Sequence, residues 1–258
     1  MIAAVAIGVW TSNSPANAAT IVRNALVSTV ASRSASFTMD EEITGTVSTS
    51  VTGSGACAFS SGECTMSVNY GGALASLGQG NVVFANSTMY LRLSGAAAAT
   101  LPTPWISMPL DISKLQQSGV TNSSANPLAG LEVLAKLGDT VTDDGVVSVN
   151  GVSLHEYTVV ASKSQVQSQT SAVLKQLPSW ISSASSEASS GAVSENVYVN
   201  ASGDLAELAM NTSVTANGQT ESLSMTEVIT GYGVPVTVTI PPADQVTSLA
   251  GLTAGLTG

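Results

Sequence analysis

A lone histidine, two cysteines and a run of three carboxylates are the residues of this chain whose types and spacing could do chemistry. His155 is the only histidine, so a serine–histidine–acid hydrolase would have to use it. Its neighbours Leu154 and Glu156 set it inside a β-prone run, and no G-x-S-x-G raises a serine nucleophile. A strand histidine is usually half-buried structure, so no catalytic residue and no enzyme is expected. Cys57 and Cys64 enclose Ala-Phe-Ser-Ser-Gly-Glu, and Ser60-Ser61-Gly62 is turn chemistry. If the flanking runs pair as a hairpin, the thiols face each other and form a disulfide worth roughly 2–3 kcal/mol in the chain-entropy picture. Two cysteines and one histidine are too few ligands for a structural metal, and their spacing is too long for a redox motif. Asp40-Glu41-Glu42 alternate between the faces of a strand and cannot converge on a cation. That run reads as a solvated edge, and neither metal nor cofactor is expected.

Composition bounds what remains. The chain has 258 residues, 44% hydrophobic and only 9% charged, with a net charge of −10. It is long enough to bury a sizeable core. Its basic residues are spread from Arg23 to Lys175, whereas a surface that neutralises phosphates needs them clustered, so nucleic acid is excluded as a partner. The same scatter argues against an electrostatic hold on anionic headgroups. Ile2 to Trp10 is a short apolar run, followed by a polar stretch to Pro15 and the triplet Ala16-Asn17-Ala18. This is the h-region and cleavage site of a secretory signal, although it lacks a basic n-region. Residues 1–18 are therefore expected to be a signal segment, with an exported mature chain starting near Ala19. No cysteine follows the apolar run, so a lipid anchor is not supported. No stretch reaches the length needed to cross a bilayer as a helix.

The elements that must carry these residues are mostly strands. Val82-Val83-Phe84 and Met89–Leu93 flank Ala85-Asn86-Ser87-Thr88, a hairpin in which Met89, Leu91 and Leu93 share one face. Trp105 follows and leads toward a helical region. Before the hairpin, Ala19–Ser32 sets Ile21, Val22, Ala25, Leu26, Thr29 and Val30 on a helical stripe, and residues 34–52 read as extended chain. After it, residues 113–138 carry Asp111 and Asn126 as candidate caps, Pro127, and a stripe of Leu128, Leu131, Leu134 and Leu137. Asn150-Gly151 joins two strands, 140–149 and 152–161, in the strongest short hairpin signal. Val166, Val173, Leu174 and Leu177 face one way on a further helix that Pro178 ends, and residues 182–192 form a Ser/Ala-rich connection. Strands at 193–200, 205–216, 219–230 and 234–240 complete a meander, the last an edge strand because of Pro235. The tail from 243 to 258 has no firm assignment. Strands outnumber helices and do not alternate with them, so the class is α+β with an antiparallel sheet and helices on one face.

The order of these features resembles one family. Asn86, Thr88, Tyr90 and Arg92 in the hairpin, then Trp105, Pro127-Leu128, Gly151-Val152, Tyr157 and Gly233-Val234-Pro235-Val236, is similar to the actinobacterial LppX/LprG lipoproteins, which are LolA-like in fold. The resemblance runs roughly from Ala19 to Pro242 and rests on the order of weak motifs. It implies a single domain over residues 19–242, a curved antiparallel half-barrel with helices on its concave face. It further implies an apolar cavity that takes up the acyl chains of a lipid or glycolipid and carries them across the cell envelope. A membrane exporter or acceptor would be the partner. On that reading the cavity wall is Met89, Leu91, Leu93, Trp105, Leu128, Leu131, Leu134, Val173 and Leu177. The rival expectation is a cavity-less extracellular adhesion or sensor module.

Overall fold

Proline's fixed φ suits the first position of a helix, and α1 begins at Pro15 and runs to Ala31. It starts earlier than the apolar stripe alone predicts. Ala18, Val22, Ala25, Leu26 and Thr29 form its buried side, while Val30 is 48% exposed. The buried positions follow the 3.6-residue period and Val30 falls off the end of that stripe. The computed structural model describes residues 15–109, 141–161, 193–216 and 219–255. The segments read as helices at 113–138 and 166–177, and the connection at 182–192, lie outside the described residues.

The chain after α1 is a meander of six strands, β1 (Ser34–Thr44), β2 (Thr49–Ala58), β3 (Glu63–Gly72), β4 (Gln79–Ala85), β5 (Thr88–Leu93) and β6 (Trp105–Pro109). A second meander holds β7 (Val141–Val149), β8 (Val152–Ala161), β9 (Val193–Val199), β10 (Leu205–Ala216) and β11 (Gln219–Tyr232). Their hairpins use the turns their residues favour. Asn86 and Ser87 both have positive φ, as do Asn150 and Gly151, the pairing of two left-handed residues that matches strand twist. The two meanders meet where β1 pairs antiparallel with β11. With a short last strand, β12 (Val246–Ser248), one open, curved sheet of twelve strands results, ordered β12-β6-β5-β4-β3-β2-β1-β11-β10-β9-β8-β7. Strand β12 lies parallel to β6 and leads into α2 (Leu249–Gly255).

Three sequence expectations change here. The segment 234–240 is not a strand: Gly233 takes φ 63° and turns the chain out of β11. Val234, Val236 and Val238 are still half-buried and alternate with exposed Pro235, Thr237 and Thr239. Alternation reports that one face is in contact, and it does not require ladder hydrogen bonds. The strand lies instead in the tail, at β12. Trp105 opens β6 rather than leading directly toward a helix. The Asp40-Glu41-Glu42 run sits on β1, between β2 and β11 in the middle of the sheet, so it is no edge.

The core lies on one face of the sheet. Against α1 pack Val141, Tyr157, Val159, Val197, Val199, Leu205 and Leu208. Farther along the same face come Phe37, Met39, Met66, Val68, Val82, Phe84 and the Cys57–Cys64 disulfide, and Ile229 touches both groups. Polar contacts pin the helix in place. Buried Thr29 donates its hydroxyl to the Ala25 carbonyl at 2.8 Å and accepts the backbone N–H of Leu205 at 3.2 Å. Ser28 donates to Asp204 at 2.5 Å.

Candidate functional site

The register of β1 to β6 places one set of side chains in rows across the apolar face. Met66 stands opposite Val82, Val82 opposite Leu91, and Leu91 opposite Ile106. A parallel row runs from Met39 through Gly53 and Val68 to Gly80 and Leu93. Large and small residues alternate along it. A Cβ on Gly80 would come within 2.7 Å of Val68 and 3.0 Å of Tyr70, so their side chains lean over bare backbone. Between the rows lies a hollow of about 240 Å³ lined by Met39, Val51, Met66, Val68, Tyr70, Val82, Met89, Leu91 and the carboxyl-bearing Glu41. Dry apolar walls with one or two polar groups are the usual make-up of a small-ligand site.

Of the wall expected from the sequence, Met89 and Leu91 line this hollow. Leu93 is half-buried on the same face, opposite Gly80. Trp105 does not join them: Ile106 and Met108 pair with Leu91 and Met89, so alternation turns Trp105 to the other face. Leu128, Leu131, Leu134, Val173 and Leu177 lie outside the described residues. Sequence reading missed Met39, Glu41, Val51, Met66, Val68, Tyr70 and Val82. Their signal was the odd–even alternation of β1 and of β3, diluted by the glycines at 53, 55 and 80 that leave gaps in the apolar series.

The same face carries acids that apolar patterning does not lead one to expect. Glu195, Met210, Met225 and Glu41 form a row across β9, β10, β11 and β1. Glu227, two residues along β11 from Met225, stands between Leu208 and Met39. Burial pushes the Glu227 carboxyl up to about 8, with the nearby Glu195 charge adding to the effect. Burial alone pushes Glu195 up to about 7 and raises Glu41. Removing a carboxylate from water disfavours its charged form, and a second carboxylate beside it acts in the same direction. Glu227 is only 4% exposed, and among the described residues none of the three acids has a hydrogen bond or an ion pair.

The other side of the sheet is polar. It holds open depressions of about 420 and 540 Å³ lined chiefly by Thr, Ser and Asn, with Asp40 in one and Glu42 in the other. These are larger than the apolar hollow, yet they are wet grooves between surface side chains with little apolar wall to hold a ligand. His155 turns to the apolar face, buried at the far end under α1. Its Nε2 lies 2.5 Å from Asp143, and its ring stacks on Tyr157 at 4.7 Å. These two contacts hold the imidazole in place on the strand. Among the described residues no group of three His, Cys, Asp or Glu could hold a metal ion, and no helix is long and apolar enough to cross a membrane.

No protein-family model matches the chain, and no curated protein matches it. Solved structures do. LprF from Mycobacterium bovis is 12% identical, with a TM-score of 0.47 over 90% of this chain and 100% of its own. The lipoprotein LppX from Mycobacterium tuberculosis is 14% identical, with a TM-score of 0.48 over 88% of this chain and 100% of its own. Both fall in the LppX/LprG group of lipoproteins, the one that the order of motifs in the sequence resembles.

Proposed function

We propose that this protein is a non-catalytic carrier that holds lipid acyl chains against the apolar face of its sheet and moves them between membranes outside the cytoplasm. The observation that carries the reading is the hollow walled by Met39, Val51, Met66, Val68, Val82, Met89 and Leu91. Methionine is flexible and polarizable, and three of them in one wall suit a ligand that has no fixed shape. Each methylene taken from water contributes about 0.8 kcal/mol, so even part of an acyl chain gives useful affinity without any polar contact. The Cys57–Cys64 disulfide fits a protein that works in an oxidising compartment. In this reading Leu128, Leu131, Leu134, Val173 and Leu177 supply the rest of the wall.

Native mass spectrometry of the purified full chain tests this. Wild-type protein is expected to carry co-purified lipid. Leu91→Asp puts a carboxylate into the hollow, where leaving it unpaired costs several kcal/mol, and should lose that lipid while the melting temperature changes little. Leu131→Asp should do the same. Protein that arrives empty and takes up no lipid from vesicles would make it a surface module instead. Collapse of both variants would make these leucines ordinary core.

A further inference from the structure

The two polar side chains of the hollow stand at one end of it. Glu41 pairs with Val51 and Val51 with Tyr70, so the three make one row across β1, β2 and β3. All three line the hollow and all three are half-buried. Among the described residues neither the Glu41 carboxyl nor the Tyr70 hydroxyl has a hydrogen bond or an ion pair. The ring of Tyr70 leans inward: a Cβ on Gly80, one row deeper, would come within 3.0 Å of it. That deeper row holds Met39 and Val68, and the row after it Met66 and Val82, all buried. Next comes the row of the Cys57–Cys64 disulfide, which ends at Met89. Tyr70 and Cys64 are six residues apart on β3, about 20 Å of strand. The hollow therefore has a direction, from a hydrogen-bonding, half-exposed row to apolar, buried ones.

We propose that Glu41 and Tyr70 are the specificity-determining pair of the carrier, fixing a lipid with its uncharged, hydroxyl-bearing head at their row and its tail toward the disulfide. This rests on the carrier reading above and deepens it. The chemistry of the pair selects the head. An ionised carboxyl only accepts hydrogen bonds, whereas a tyrosine hydroxyl both donates and accepts. A head that donates and accepts completes both. Glu41 and Tyr70 stand two strands apart, about 10 Å between backbones, so separate hydroxyls of one head meet them rather than a single atom. A carboxylate or phosphate head only accepts, and sets like charge against Glu41. An ammonium only donates, which leaves the Tyr70 proton without an acceptor. A head without donors leaves the carboxyl unpaired. Burial raises both Glu41 and Tyr70, which further disfavours charge at this row.

The test uses the lipid-stripped full chain and two probes with the same tail, the dodecanoyl monoester of glycerol and methyl dodecanoate, each below its solubility limit. The first has free hydroxyls and the second has none. Titration calorimetry of wild type is expected to give about tenfold tighter binding of the glycerol ester, the yield of one to two net hydrogen bonds. In the Glu41→Leu, Tyr70→Phe double variant that ratio should fall to near one while both esters still bind. Direction is read by photocrosslinking with glycerol esters that carry a diazirine beside the carbonyl or at the tail end, followed by peptide mapping. The first label should land near Glu41, Val51 or Tyr70, and the second near Met66, Leu91 or Met89. Equal binding of the two esters by wild type, or the reverse label pattern, overturns the proposal and leaves the carrier reading intact. Tighter binding of dodecanoate or dodecylamine than of the glycerol ester overturns the uncharged head. A ratio unchanged in the double variant overturns the assignment to this pair. Binding of no probe removes the carrier reading, and the proposal with it. If the double variant does not fold, Tyr70→Phe decides: a several-fold smaller ratio supports the pair, and an unchanged ratio overturns it.

Discussion

Glu227 gives the sharpest expectation at the scale of a single residue. Its carboxyl is held up at about 8 by burial and by the Glu195 charge, whereas in the unfolded chain it titrates in the ordinary glutamate range. Between those values the folded protein keeps a proton that the unfolded chain has released, so stability falls as pH rises. Glu195 on β9 and Glu41 on β1, two further acids on this face, are raised too and act in the same direction. Thermal unfolding should show the ligand-free protein most stable near pH 5, less stable by up to a few kcal/mol at pH 8.5, and level above that. Glu227→Gln should flatten much of that slope, and a slope of unchanged steepness would argue against a buried proton there. Thr29 makes a second case. Thr29→Val keeps the shape but leaves the Leu205 N–H without its acceptor, and should lower stability by about 1–3 kcal/mol in a denaturant titration. Thr29 lay on the helical stripe read from the sequence, but Glu227 did not stand out there. Glutamate on a strand reads as solvent-facing, and only the phase it shares with Met225 and Ile229 marks Glu227 as inward.

At the scale of elements, local chemistry was legible and partnership was not. Asn86-Ser87 and Asn150-Gly151 announced their hairpins, because few residues accept two successive left-handed conformations. The stripe Val22, Ala25, Leu26 and Thr29 announced α1. The facing of Met89 and Leu91 followed from alternation alone, and that was the part of the candidate site within reach. What failed was anything decided by a distant strand. Val234–Val238 alternates like a strand yet has no ladder, and β12 is only three residues long, too short for any periodicity to register. Trp105 went to the wrong face because one residue of register reverses every side chain. The disulfide was readable because its hairpin is local: Cys57 and Cys64 are direct cross-strand partners. Non-reducing, denaturing thiol titration should find no free thiol. Replacing both cysteines by serine should lower stability by roughly 2–3 kcal/mol, and two reactive thiols in the untreated protein would contradict the bond.

For the whole molecule, the strand order makes the sheet two local meanders joined by a distant antiparallel seam, with the short β12 added from the end of the chain along β6. Each meander is built from neighbours in sequence, whereas β1 meets β11 only at pairs such as Glu41↔Met225 and Thr44↔Ser222. The apolar face crosses that seam through Met39 and Glu227, so the hollow and the acids beside it belong to one continuous surface. Contacts of such long sequence separation close late in folding, after the local hairpins that precede them.

That seam matters while the chain is still being made. At about 5–20 residues per second, strand β1 leaves the ribosome roughly ten to forty seconds before its partner β11 exists. During that time one flank of β1 is a naked template on which another nascent chain could dock. Asp40, Glu41 and Glu42 stand in the middle of that flank, and charges along an orphan edge are how proteins discourage such docking. The acid run that the sequence presents as an edge is thus an edge in time: it shields a strand in its youth, and in the finished sheet one member of it, Glu41, borders the hollow.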